Sequence, residues 1–181
     1  MKKKRKRHGS TIMMFIIISV FLLVFWKQQQ EKENELSKTP LPTALHETLA
    51  EKRDILLSQA LDKGIHVVIV EGFRSVEEQN DLYNKGRTEE GNIVTHAKGG
   101  ESYHNYGLAI DFALLNNSGA TIWDMEYDGN GNGKSDWMEV VSIAKSLGFE
   151  WGGDWANFKD YPHLQMDFGL SIAELQKGQR P

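Results

Sequence analysis

Apolar and polar positions divide the chain into three stretches before any chemistry is considered. Ile12 to Trp26 is continuously apolar apart from Ser19 and has no polar face of the kind a soluble helix shows. Gln28 to Pro42 is the reverse: polar, charged and punctuated by proline, which predicts a solvated tether. From Thr43 the pattern becomes periodic. Leu45, Leu49, Leu56, Ala60 and Leu61 recur at helical spacing as far as Gly64, predicting an amphipathic helix over 43–63. Ile65 to Glu71 is rich in β-branched residues and reads as a strand. Ser75 opens a second helix, with Glu78 placed to complete a capping box and Gly86 to end it. Arg87 to Glu101, rich in glycine and polar residues, predicts a loop. Leu108 to Leu114 predicts a short buried strand, Asn116 to Gly119 a turn, and Thr121 to Trp123 a returning strand. Ser135 or Asp136 caps a further helix that reaches Leu147 and closes at Gly148. Leu164 to Phe168 predicts a last strand, and Ser171 with Glu174 a small capped C-terminal helix. This order of elements specifies an α+β fold. A single compact domain over 43–181 follows an N-terminal segment, 1–26, and a tether, 27–42.

Composition narrows the picture. The 181 residues suffice for one domain with a proper core and are too few for two ordinary ones. Cysteine is absent, which excludes disulfides, thiolate ligands and lipid attachment through sulfur. The formal charge is -4, yet six basic residues, Lys2 to Arg7, conceal a more acidic remainder. Nucleic acid is therefore not an expected partner, and the domain is expected to act as a monomer. The basic flank followed by the apolar run reads instead as a membrane address. Ile12 to Trp26 covers about 22 Å as helix, short of a roughly 30 Å hydrocarbon core. Gly9 to Thr11, with Arg7 and Lys27 snorkelling, extends it towards spanning length. Val24 to Gln28 offers none of the small residues that a cleavage site needs. The expectation is an uncleaved signal-anchor with the basic end cytoplasmic and the domain outside. The alternative is secretion to the wall after cleavage.

Candidate chemistry gathers in Ser102-Tyr103-His104-Asn105-Tyr106-Gly107-Leu108-Ala109-Ile110-Asp111. In a straight strand, positions 104 and 111 would face opposite ways. Gly107 permits a turn that folds His104 back towards Asp111. An imidazole and a carboxylate meeting in this way supply two-thirds of a hydrolytic zinc site. Asp160-Tyr161-Pro162-His163-Leu164-Gln165 offers a third ligand.

Ser-x-His-x-x-Gly-x-Ala-x-Asp followed by a late Asp-x-x-His resembles the zinc peptidases related to D-Ala-D-Ala carboxypeptidases and dipeptidases. Within that group the chain is most similar to the bacterial and phage peptidoglycan L-alanyl-D-glutamate endopeptidases. The resemblance covers about residues 41–167 and includes Glu71-Gly72-Phe73-Arg74-Ser75 and Glu150-Trp151-Gly152-Gly153-Asp154-Trp155. It implies a small antiparallel sheet with flanking helices, of the hedgehog/D-Ala-D-Ala peptidase kind, with one catalytic zinc in a cleft. It implies His104, Asp111 and His163 as zinc ligands and Asp160 as the general base. Arg74, which could otherwise be a surface arginine in a turn, corresponds to the family's substrate- and charge-stabilising arginine. Ser102 corresponds to a residue near the substrate, although serine in that setting also serves as a turn residue. Gln165 shares a strand face with His163, so it touches substrate or orients the site. Trp151 and Trp155 either wall the cleft or belong to the core. His46, His66 and His96 match no ligand block and are read as structural or surface residues. Aspartate rather than glutamate at position 160 matches the endopeptidase branch.

The activity implied is hydrolysis of the L-Ala-D-Glu bond in peptidoglycan stem peptides. The alternatives are a D-Ala-D-Ala carboxypeptidase or dipeptidase, or a wall-binding module that keeps the metal without turnover. Retention of both Asp160 and Arg74 argues for an enzyme. Separately, Asp128 to Glu139 fits the calcium-loop pattern D-x-[DN]-x-[DN]-G-x5-E. Asp128, Asn130, Asn132, Lys134, Asp136 and Glu139 would be its ligand positions. Against it, Ser135 replaces an aliphatic residue and no helix is expected before the loop. The other reading is an Asn/Gly turn leading into a capped helix.

Overall fold

The computed structural model describes residues 8–36 and 38–181. The basic flank Lys2 to Arg7, and the orientation read from it, lie outside the described residues. Helix α1 (His8–Leu36) carries the apolar run and continues through 28–36, so much of the expected tether is helical. Residues 13–32 are exposed along it. The portion Met13–Leu36 is long and apolar enough to cross a membrane by length and composition.

The domain follows in the order α2 (Glu47–Asp62), β1 (His66–Glu71), α3 (Val76–Asn84), β2 (Ala109–Leu115), β3 (Thr121–Ile122), α4 (Asp136–Ser146), β4 (Glu150–Trp151), β5 (His163–Gln165) and α5 (Ile172–Gln176). All strand pairings are antiparallel. The order across the sheet is β1-β2-β5-β4, with β3 also paired to β2.

Strand β2 shows how the sequence divides core from site. Ile110, Phe112 and Leu114 join one buried cluster with Leu49, Leu56 and Ala60 of α2 and with Trp137, Val140, Val141 and Ala144 of α4. Alternation places Asp111 on the opposite face. Phe112 meets Trp137 at a ring separation of 4.5 Å. Burying each such large apolar side chain contributes roughly 1.5–3 kcal/mol. The helices therefore clamp one face of the sheet and leave the other for polar chemistry. This is a single compact α+β domain built on a small antiparallel sheet with flanking helices.

Helix starts follow their capping residues. Ser75 and Glu78 form a reciprocal capping box on α3, Ser171 and Glu174 form another on α5, and Ser135 rather than Asp136 caps α4. Two strands differ from expectation. β4 has only two residues, too few for any periodicity to announce. β5 occupies His163–Gln165 rather than 164–168, and Phe168 adopts a left-handed φ of 54°, which no strand accommodates.

Candidate active site

Register assembles the site. Asp111 of β2 stands opposite His163 of β5 on one side and Glu71 of β1 on the other, giving a polar row across three strands. His104 arrives from a different direction, on a single 3-10 turn, Tyr103–Tyr106. Gly107 ends that turn at φ 67°, and the chain reverses into β2. A Cβ at this glycine would lie 2.2 Å from the Ala44 carbonyl oxygen, so both conformation and packing demand glycine here. The fold-back expected from Gly107 is the one observed.

The result is a close triad. His163 Nδ1 lies 3.2 Å and His104 Nε2 lies 3.4 Å from Asp111 Oδ1, and the two ring nitrogens are 3.3 Å apart. Both rings are oriented from behind. His104 Nδ1 lies 2.7 Å from the Gly72 carbonyl, which can only accept, so the proton sits on Nδ1 and Nε2 presents its lone pair. His163 Nε2 lies 3.0 Å from Gln165 Oε1, while the Gln165 amide nitrogen donates to Glu150 at 3.0 Å. This leaves His163 Nδ1 as the free donor atom. Two imidazole lone pairs and a carboxylate oxygen thus converge within 4.8 Å, a donor set suited to a metal ion. The histidine side chains are 3% and 8% exposed against 21% for Asp111, so the open side of the triad is its carboxylate side.

Electrostatics separate the two aspartates. Burial pushes Asp111 up, but the facing His104 and His163 rings outweigh it and hold the carboxyl well below the usual range. Asp160 moves the other way, raised mainly by burial and further by the neighbouring Asp111 charge, with His163 opposing. One carboxyl is thereby held ionised, and the other is drawn towards its protonated form.

Asp160 is positioned by a tight loop. Its N–H donates to the Gly152 carbonyl at 3.2 Å, and its carbonyl accepts from His163 N–H at 3.3 Å. The Trp151 indole N–H holds the Tyr161 carbonyl at 2.7 Å. Trp151 is therefore a buried anchor of the loop, whereas Trp155 is half-buried with its ring 5.1 Å from that of His163. Arg74 lies at the β1-to-α3 junction and contributes to the field at Asp160. Glu71 grips its guanidinium at 3.2 and 3.3 Å and the fully buried Gln79 at 2.9 Å. Asn105 also fixes this junction, donating to the Arg74 carbonyl at 2.9 Å.

Glu71, Gln79 and Asn105 were not singled out from sequence. Glu71 and Asn105 lie inside the family blocks, but none of the three has a spacing that announces its partners. Ser102 caps the 3-10 turn by accepting from His104 N–H at 3.4 Å. Gln165 uses both ends of its amide within the protein. His46, His66 and His96 stay outside the triad; the His46 ring packs 4.8 Å from Phe168.

The calcium expectation gains no support. Asp128 accepts from the N–H groups of Asn132 and Gly133 at 3.0 and 2.9 Å, and Asn132 Oδ1 from Lys134 N–H at 2.9 Å. Asn130 Oδ1 accepts from Asn132 N–H at 3.1 Å and Asp136 from Gly129 N–H at 2.9 Å. Glu139 receives the Asn130 and Asn132 amides and the Lys63 ammonium at 3.3, 2.6 and 3.1 Å. Apart from Asp136 Oδ1, which is buried without a hydrogen-bond partner, these oxygens serve a turn that ties the end of α2 to α4, which is the Asn/Gly-turn reading. The element directly before the loop is strand β3, not a helix.

With the site's geometry in view, its relatives can be placed. The D-alanyl-D-alanine carboxypeptidase family model matches residues 95–166, a span that holds His104, Asp111, Asp160 and His163. The chain is 66% identical over 134 residues to the peptidoglycan L-alanyl-D-glutamate endopeptidase CwlK of Bacillus subtilis (strain 168), covering 74% of this chain and 80% of that protein. It is 37% identical over 125 residues to the L-alanyl-D-glutamate peptidase of Listeria phage A118. That match covers 68% of this chain but only 38% of the phage protein. Among solved structures, the LD-carboxypeptidase LdcB shares the fold at a TM-score of 0.50 and 21% identity, over 76% of this chain and 77% of that one. A triad of this composition, on this sheet, in a chain two-thirds identical to CwlK, belongs to the family of peptidoglycan L-alanyl-D-glutamate endopeptidases.

Proposed function

We propose that the chain is a zinc endopeptidase that hydrolyses the L-Ala-D-Glu bond of peptidoglycan stem peptides. The observation that carries this reading is the convergence of His104 Nε2, His163 Nδ1 and Asp111 Oδ1, with both rings held in the tautomers that free those atoms. These three residues would hold the ion. Zinc bound by three such ligands keeps a position open, supplies Lewis acidity and lowers the pKa of a water towards neutrality.

The remaining steps belong to the protein. Asp160 takes the proton of the attacking water on its carboxylate and returns it to the departing amine nitrogen as the C–N bond breaks. Its elevated pKa suits it to both halves of that exchange. Arg74, held by Glu71 and Gln79, stabilises negative charge growing on the scissile carbonyl oxygen. Ser102 borders the substrate, and Gln165 contributes by orienting His163. The substrate assignment draws on the L-alanyl-D-glutamate activity named for both relatives. The N-terminal helix acts as an uncleaved anchor, and the domain works outside the membrane as a monomer.

Substitutions separate the roles. His104→Ala or His163→Ala should lose zinc and activity together. Asp160→Ala should keep zinc while turnover falls by about 10²- to 10⁴-fold, the scale for losing a general base. Arg74→Ala should also keep zinc and slow turnover. Near-normal cleavage by zinc-loaded Asp160→Ala would overturn the mechanism.

A further inference from the structure

The two histidines of the triad are oriented by unlike means. His104 gives its proton to a main-chain carbonyl, an acceptor that no side-chain change can reverse. His163 depends on an amide, and an amide can present either an oxygen or an NH2 group. Something must choose between them.

We propose that Glu150 makes that choice and is a positioning residue for the metal centre; the inference rests on the zinc reading of the triad. Glu150 of β4 is the cross-strand partner of Gln165 on β5, and its Oε2 accepts from Gln165 Nε2 at 3.0 Å. A carboxylate can only accept. It therefore draws the NH2 end of Gln165 to itself and turns Oε1 towards His163 Nε2, 3.0 Å away. An oxygen at that place requires the proton on Nε2, which leaves Nδ1 bare for a metal. Gln165 is only 5% exposed, so bulk water does not readily replace the missing partner.

The competing arrangement is well defined. If the amide rotates, its NH2 group faces Nε2, which must then accept, and the proton moves to Nδ1. There it finds Asp111 Oδ1 at 3.2 Å, a satisfactory acceptor in the metal-free protein. That tautomer blocks one ligand atom and occupies another. Glu150 biases the site against it, three groups away from the ion. Outer partners of this kind commonly change metal affinity by about 10- to 100-fold when lost.

Glu150 is exposed, so its variants leave the core intact. Glu150→Gln keeps the size of the side chain but can present either end of its own amide, so it should lose the bias as Glu150→Ala does. Glu150→Ala removes the bias and should give mixed tautomers with zinc affinity about 10- to 100-fold weaker. Glu150→Lys offers only donors, draws the amide oxygen to itself, and should favour the Nδ1–H form with the weakest zinc binding of the series. Ring 15N chemical shifts of His163 in the metal-free protein report the tautomer directly, and chelator competition reports zinc affinity. A purely structural Glu150 would not move the tautomer, and a glutamine of the same size would replace it. Glu150→Lys with an Nε2–H ring and wild-type zinc affinity overturns the proposal. If the wild type takes up no zinc, the zinc reading fails by itself, while the tautomer series in metal-free protein still decides the role of Glu150.

Discussion

Gly152 presses directly on Asp160, and Gly152→Ala isolates what that contact contributes. A Cβ there would lie 2.4 Å from the Asp160 carbonyl oxygen, 3.0 Å from Asp160 Cβ and 3.1 Å from His163 Cβ. Two of these neighbours belong to the proposed base and the third to a proposed metal ligand. The closest contact is with backbone, which cannot rotate away as a side-chain tip can. Relief requires Asp160 to retreat by at least roughly 0.6 Å merely to reach the shortest separation that real Cβ atoms tolerate. Overpacking of this kind costs about 1–3 kcal/mol of stability, which leaves a folded protein. Displacing a catalytic group by about 1 Å costs on the order of 10²-fold in rate. Gly72→Ala is the matched control. The nearest neighbours of its added Cβ are Leu45 side-chain atoms at 3.8 to 3.9 Å, ordinary contact, and the Gly72 carbonyl that holds His104 is untouched. Thermal melts, zinc content and cleavage of a peptide beginning L-Ala-D-Glu should be measured on both variants. The expectation is a folded Gly152→Ala protein about 10²-fold slower than Gly72→Ala. Equal rates in the two would refute the claim that the Gly152 contact sets the geometry of Asp160.

Two further outcomes follow from the same structure. Burial raises the Asp160 pKa, so the fold binds its proton more tightly than the unfolded chain, and the ionised form costs stability at neutral pH. Metal-free Asp160→Asn should therefore melt higher than wild type at pH 7, with the gain vanishing below the ordinary carboxylate range near pH ~3.9; an equal or lower midpoint at pH 7 contradicts this. The full-length chain should fractionate with membranes and keep its N-terminus, and a soluble form beginning near residue 27 would instead establish cleavage.

The parts of this molecule that sequence exposes are those whose determinants lie within a few residues of one another. Ser75 with Glu78 and Ser171 with Glu174 complete their boxes three positions apart, and Gly107 turns His104 back within a single turn. The family blocks around positions 74, 104–111 and 160–163 carried the triad and its neighbours, and register brings Asp111 opposite His163. Long-range partnerships left no such mark. Gln79 serves Arg74 from the next helix, and Glu150 reaches Gln165 through a strand of only two residues. The Asp128–Glu139 segment misled in the opposite sense. Its oxygens are spaced as a calcium loop requires, yet they serve backbone N–H groups, the Asn130 and Asn132 amides and Lys63. Helix α1 runs past Lys27 because Gln28 to Leu36 contains no proline or glycine to stop it.

The central claim concerns one bond and one ion, and mass spectrometry of digested peptidoglycan tests both together. Purified sacculi treated with the zinc-loaded domain should release fragments whose new N-terminus is D-Glu and whose new C-terminus is L-Ala. The same protein stripped by a chelator should release none until zinc is restored. Fragments ending at a D-Ala-D-Ala bond, or undiminished L-Ala-D-Glu cleavage after the metal is removed, would contradict the account.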